Sequence, residues 1–284
     1  MKTELSEAKV AVYSNRKIGL VQSLITPFSN AWQYRELIRV IVGRELRQRF
    51  RDSYFGWIWA IVAPLVMLAA FLLVFSGPLK IASGPSMNFA LSTFIGIILF
   101  NAFAELISRA PSLLPEHSHF IKKSIFPSEV LAWTSTLRTL TYAAIGFFVF
   151  LVVEIILVGS IPLTLLLFPV ILLPFCLLLL GSTWALAALG AFTRDISFMM
   201  SAIVPVLIFV TPVFYTTLDY PLSKKLFSYI NPMAPYVEMA REILLLGQAP
   251  DLLSYSTAWV LSLFIFYAGY TFFMRYRSVV VDVI

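Results

Sequence analysis

From Ile155 to Thr193 the sequence runs for 39 residues without a charged side chain. About 20 apolar residues already suffice for a helix to cross the ~30 Å hydrocarbon core of a bilayer. Within lipid, the backbone polar groups of such a segment must be satisfied internally, which favours a helix. A charge-free run nearly twice that length is therefore two crossings joined by a turn. Gly159-Ser160-Ile161-Pro162 supplies the turn, because Gly and Pro are the strongest local breakers.

Other charge-free runs are Ser53–Leu79, Ile81–Ala104, Thr139–Val153 (flanked by Arg138 and Glu154), Ile196–Leu218 and Leu252–Met274. The fold class expected is an all-α integral membrane protein with six transmembrane helices, the third ending and the fourth beginning at the 159–162 turn. Pro169 and Pro174 predict a kinked or broken fourth helix, tolerable where neighbouring groups satisfy the freed carbonyls. Composition points the same way: 60% of residues are hydrophobic and 13% charged, against about 25% charged in soluble domains.

The net charge is +6, and residues 1–52 contribute +5 of it, ten Lys/Arg against five Asp/Glu. With the amino terminus inside, cytoplasmic segments hold 17 Lys/Arg and the opposite side only Lys80, Lys224, Lys225 and Arg241. The positive-inside rule then places both termini in the cytoplasm of a multi-pass protein. The basic excess flanks a membrane segment and suits anionic lipid. It comes with no nucleic-acid reading motif, so no nucleic-acid partner is expected. The first apolar run starts after about fifty polar residues and lacks a small-residue cleavage site, so it is expected to stay in the mature protein. The single cysteine, Cys176, permits no intrachain disulfide.

Two segments between the runs carry information of their own. Residues 105–130, on the cytoplasmic side, have prolines at 111, 115 and 127 and room for a short surface helix. Residues 219–247 are apolar but too broken to span. There Pro235 suits the first turn of a helix running to about Leu246, which reaches only about 18 Å. Re-entrant or interface-lying helices between spans five and six are expected.

Sites of chemistry are scarce. Neither G-x-x-x-x-G-K-[ST] nor a G-x-G-x-x-G after a strand occurs, so this chain is not expected to bind ATP by those devices. His117 and His119 lack a third metal ligand nearby, Glu116 being a weak addition; they mark a polar loop or a partner surface, and no metal is expected. A membrane glycosyl or acyl transferase would need clustered carboxylates or histidines. Glu154 is the one carboxylate embedded in a span, explained by snorkelling or a polar pore lining. Asp195 beside Arg194 reads as a local pair capping the fifth helix, with packing against the inner loop as the alternative. Trp57, Trp59, Trp133, Trp184, Tyr215, Tyr220, Tyr255 and Trp259 fall near expected interfaces. Aromatic belts account for such residues, and so would a path on which sugar rings stack.

Motifs across residues 40–246 carry a family resemblance. RELRQRFRDSYFGWIWAIVAPL begins at Arg44, with Ser53, Gly56, Trp59 and Pro64 in order. Lys122-Lys123 and Phe126-Pro127 follow, then FTRDISFMM (192–200), TPVFY (211–215) and NPMAPYVEMAREILL (231–245). In this order they resemble the permeases of type 2 ABC exporters, specifically the polysaccharide-exporting branch that includes O-antigen, capsule and teichoic acid exporters. The resemblance implies a homodimer in the bacterial inner membrane, paired with two copies of a separate ATPase subunit that binds ATP and Mg. No cofactor is then expected on this chain, nor any catalytic residue.

It also implies regional roles. It makes 31–52 an amphipathic gate helix at the inner interface and 53–277 the six-helix domain, while residues 1–30, which match nothing in the shared pattern, are by default a cytoplasmic tail, and 278–284 form a second one. Arg44, Arg47, Arg49 and Arg51, with Tyr54, Phe55 and Trp57, stand at the inner mouth, where the arginines face either the diphosphate of a lipid-linked glycan or membrane lipid headgroups. Leu114, Glu116, His117, His119, Phe120, Lys122 and Lys123 belong to an ATPase-coupling loop. Asn231, Pro232, Pro235, Tyr236, Glu238 and Arg241 belong to an outer gate. Among cargoes O-antigen is favoured, with capsule, teichoic acid or a small molecule as the alternatives.

Overall fold

A computed structural model describes residues 20–51, 53–76, 86–123, 126–216 and 231–283, with side chains of 20–24, 75, 76, 86, 87, 120, 122, 123 and 278–283 outside that description. No strand occurs among the described residues. The elements are α1 (Leu20–Gln33), α2 (Arg35–Gln48), α3 (Ile58–Ser76), α4 (Ser86–Arg109), the short α5 (Leu113–Glu116) and α6 (Ser118–Lys123), then α7 (Val130–Val158), α8 (Phe168–Phe192), α9 (Asp195–Val210), α10 (Ala234–Leu244) and α11 (Leu252–Val283). Short 3-10 turns at Ala110–Ser112 and Leu163–Leu167 lead into α5 and α8.

Among the described residues, four segments are long and apolar enough to cross a membrane: Asn88–Glu116, Val130–Val158, Leu163–Phe192 and Leu252–Arg277. Ile58–Val74 and Asp195–Val210 are shorter apolar helices. At about 1.5 Å per residue, the 16 residues of α9 extend about 24 Å, short of the ~30 Å core.

The 39-residue charge-free run is divided where glycine permits it. Gly159 adopts φ +82°, a left-handed conformation that closes α7, and its N–H bonds the Ile155 carbonyl at 3.0 Å. Beyond the turn, α8 is one continuous helix. Pro169 sits in its first turn, where a missing N–H costs nothing, and Pro174 is absorbed within it. At the other end of the turn, α7 is longer than the apolar run Thr139–Val153 that marked it. Its first turns are polar, but Thr134 and Thr141 return their hydroxyls to the carbonyls of Leu131 and Leu137 at 2.8 Å. Arg138 is paired, so charge does not interrupt the helix there.

The core gathers around α4, with Phe94, Ile95, Leu99, Phe103 and Leu106 packed against Phe150 of α7, Phe175 of α8 and Tyr236 of α10. The closest helix pair is α8 with α11. Gly181 and Gly269 face each other there so tightly that a Cβ on Gly269 would overlap the Gly181 backbone. Trp184, fully buried, caps that contact with edge-on rings from Trp133, Phe266 and Tyr270.

Helical structure reaches into both segments expected as tails. The segment assigned as a tail to residue 30 already forms α1 from Leu20. Phe28 stacks on Phe266 at 5.6 Å and meets the edge of Trp133 at 5.5 Å. Asn30 donates to Glu129 at 3.2 Å, so aromatic and amide contacts hold the α1 end against α7 and α11. At the other terminus α11 stays helical to Val283, past the expected limit at 277.

Candidate functional site

At one end of the bundle meet α2, the end of α4, α5 and the start of α7. On α2 the buried positions are Ile38, Ile41 and Glu45, spaced as one face of a helix. Glu45 thus occupies a place the pattern would give to an apolar residue, and only 5% of its side chain is exposed. A buried carboxylate needs compensating charge. Arg109 at the end of α4 lies 3.3 Å away, Arg138 of α7 3.5 Å, and His117 Nε2 3.8 Å. Neither Glu45 oxygen accepts a hydrogen bond, so these are Coulombic contacts without hydrogen-bond geometry. His117 Nδ1 donates to the Leu113 carbonyl at 2.9 Å, since a carbonyl can only accept.

The pairs join into one chain of alternating sign. Glu116 lies 3.8 Å from Arg109, which lies 3.3 Å from Glu45; Arg138 reaches Glu45 and, at 2.8 Å, Glu105; Arg49 closes the series 3.6 Å from Glu105. The Arg49 guanidinium also lies 4.2 Å above the Tyr142 ring. Alongside this chain opens a cleft of about 800 Å³ lined by Glu45, Gln48, Arg49, Asn101, Ala104, Glu105, Ser108, Arg109 and Arg138.

Of the residues expected at the inner mouth, only Arg49 lines the cleft. Arg44, Arg47 and Arg51 are exposed, as are Tyr54, Phe55 and Trp57. Phe55 meets Trp59 edge-on at 6.1 Å, and Trp57 lies 5.7 Å from Phe50. Of the expected coupling loop, Leu114 and His117 are buried while Glu116 and His119 are exposed. The side chains of Phe120, Lys122 and Lys123 lie outside the described residues. Among the described residues no group of three His, Cys, Asp or Glu side chains could hold a metal ion.

A second polar constellation sits on α10, all of whose residues are buried. Arg241 donates to the Tyr215 carbonyl at 2.7 Å and to the Val213 carbonyl at 2.6 Å, and lies 3.6 Å from Glu238. Asn231 donates to Thr211 Oγ1 at 2.8 Å and accepts from the Met233 N–H at 2.9 Å. Tyr236 reaches Ser262 of α11 through its hydroxyl. Pro232 precedes the helix and Pro235 lies in its first turn. Residues 231–244 therefore pack as a short plug tied to the end of α9 by carbonyl hydrogen bonds. The preceding part of the segment, 219–230, lies outside the described residues.

Sequence reading missed Glu45, Glu105, Arg109 and Arg138 as partners. Glu105 and Arg138 had served only to bound apolar runs, although ionisable residues at the ends of apolar helices are themselves a signal for a polar cavity.

Residues 36–245 match the protein family described as ABC-2 type transporter. The chain belongs to the ABC-2 type transporter family. The match runs from the second residue of α2 to the residue after α10, so it takes in the cleft and the α10 plug but neither α1 nor α11. As an ABC-2 type transporter chain, this is a multi-pass membrane component of a transporter. It is 26% identical over 223 residues to the "O-antigen export system permease protein RfbA" of Myxococcus xanthus, covering 78% of this chain and 84% of that one. Two proteins of the same name from Klebsiella pneumoniae are 22% and 21% identical, each over 75% of this chain and 81% of their own length.

Proposed function

We propose that this chain is the permease subunit of an ATP-driven exporter that carries a lipid-diphosphate-linked polysaccharide, O-antigen, across the bacterial inner membrane. The observation that carries the proposal is the likeness to three O-antigen export permeases over three quarters of the chain. The geometry agrees in kind. Arg44 and Arg47 of α2, with Arg49 and Arg51 in the turn that follows it, lie at or near an open, charge-lined cleft, and guanidinium forks suit phosphate oxygens.

In this reading α3, α4, α7, α8, α9 and α11 are the six crossings and both termini are cytoplasmic. Two copies of the chain pair with two copies of an ATPase subunit that holds ATP and Mg. The exposed Arg47 and Arg51 steer the arriving diphosphate, and residues 113–123 receive the ATPase movement. The α10 plug, with Asn231, Pro232, Pro235, Tyr236, Glu238 and Arg241, forms a re-entrant outer gate.

Deleting the gene is expected to remove surface O-antigen while its lipid-linked precursor accumulates inside, both restored by a plasmid copy. Intact O-antigen in the deletion strain, with a different surface glycan lost, would transfer the assignment to that glycan. A tagged copy is expected to co-purify an ATPase in equal amount. Recovery of the chain alone with full transport activity would overturn the ATP-driven reading.

A further inference from the structure

Residues 110–129 connect α4 to α7, yet they rest on a different pair of helices. Leu113 and Ile121 share a buried apolar cluster with Trp184 and Ala187 of α8 and with Phe266 and Phe273 of α11. Where the segment begins, Gly190 of α8 lies so close to Pro111 that a Cβ on it would overlap the Pro111 backbone. Where it ends, the Trp184 indole N–H donates to the Glu129 carbonyl at 3.1 Å. Both ends are thus held by α8.

A charged clasp fixes the second end to α11 as well. Arg277 Nη1 lies 3.0 Å from the Glu129 carboxylate, and its Nη2 donates to the Phe126 carbonyl at 3.3 Å. The two side chains are 15% and 5% exposed, so salt screens the pair little. A planar guanidinium held by a carboxylate and by a carbonyl three residues earlier sets the path of the backbone entering α7. It also ties that path to a helix beyond the family match, which ends at residue 245. α8 and α11 in turn meet backbone to backbone at Gly181 and Gly269, a joint too close-packed to absorb a displacement.

We infer that Arg277 and Glu129 are positioning residues for energy transfer, which make residues 110–129, α8 and α11 one moving body. This rests on the export function proposed above and deepens it. A displacement delivered by the ATPase subunit to residues 113–123 passes straight into the α8–α11 pair, rather than along the chain through α4 and α7 alone.

The test uses the full chain co-purified with its ATPase subunit. ATP hydrolysis by that complex is measured beside the amount, on the same cells, of the surface glycan that the deletion strain loses. Arg277→Met is expected to lower the surface glycan at least fivefold, with hydrolysis within twofold of the wild type. Arg277→Lys, which keeps the charge facing Glu129, should retain at least half of the wild-type export. Arg275→Met, at an exposed position of the same helix, should change neither quantity.

Export and hydrolysis falling by the same factor would overturn the inference, because a merely structural joint disturbs both. Wild-type export by Arg277→Met at normal abundance would overturn it too. If Arg277→Met fails to reach the membrane, Glu129→Gln decides, since it leaves the carbonyl bonded to Trp184 in place. Export lowered at least twofold at undiminished hydrolysis then supports the clasp, and unaltered export overturns it. All of these outcomes leave the export function standing. A wild-type chain that brings down no ATPase would overturn the ATP-driven reading and this inference together.

Discussion

The two polar constellations solve the same problem of charge among apolar helices in opposite ways. Around Arg241 the solution is directional: hydrogen bonds to the Val213 and Tyr215 carbonyls at 2.6 and 2.7 Å, with the Glu238 carboxylate one helical turn away at 3.6 Å. Around Glu45 it is distributed. Two guanidiniums and an imidazole approach to 3.3–3.8 Å without closing a hydrogen bond, and Arg109 and Arg138 each have a second carboxylate in reach. A site closed by short hydrogen bonds favours one geometry, because moving the guanidinium away leaves two carbonyls without their donors in a low-dielectric interior. A shared network tolerates displacement, since a cation that leaves one carboxylate meets another. The α10 end is thus built to stay where it is, and the cleft end to rearrange.

The contrast is broken most severely at Arg241. Arg241→Met removes the donors to both carbonyls and the guanidinium beside Glu238, and the expected loss is about 3–5 kcal/mol of stability, the scale for breaking one side of a buried pair. Chemical unfolding in detergent measures it, and the loss should not change with salt. Glu45→Gln should cost less, about 1–2 kcal/mol, because Arg109 falls back on Glu116 and Arg138 on Glu105. In the open cleft this loss should shrink when NaCl rises from about 0.05 to 0.5 M, where screening shortens from roughly 14 to 4 Å. An Arg241→Met loss smaller than that of Glu45→Gln would invert the comparison. Asn231→Ala loses one donated and one accepted hydrogen bond, an expected cost of about 1 kcal/mol without salt dependence. Arg39→Gln, at a side chain 80% exposed, should fall below about 0.5 kcal/mol and so sets the floor of the series.

How much of this was legible beforehand depended on which physical rule governed each part. Gly159 and Pro162 marked the end of α7 and the approach to α8 because turn chemistry is local. Pro235 announced α10 for the same reason, and both lie where the structure has them. Pro174 does not break α8, since whether a freed carbonyl ends a helix is a matter of packing that no local rule encodes. The start of α7 was hidden by Arg138, a charge that reads as a boundary until its partners on α2 and α4 are known. α1 was read as a tail because its order comes from Phe28 and Asn30 touching residues about 100 positions or more away. The arginines at the end of α2 and in the turn after it were visible as a cluster. That Arg49 alone among them lines the cleft follows from helical phase and from the position of α4, which spacing along the chain does not give.

The glycine contact between α8 and α11 sets an order of events during synthesis. Gly181 is made 88 residues before Gly269. At about 5–20 residues per second, α8 stands in the membrane for roughly 4–18 s before the helix that fills its notch exists. The tightest joint of the bundle is therefore the last to close, and until then α4 and α7 are the neighbours that keep α8 from pairing elsewhere.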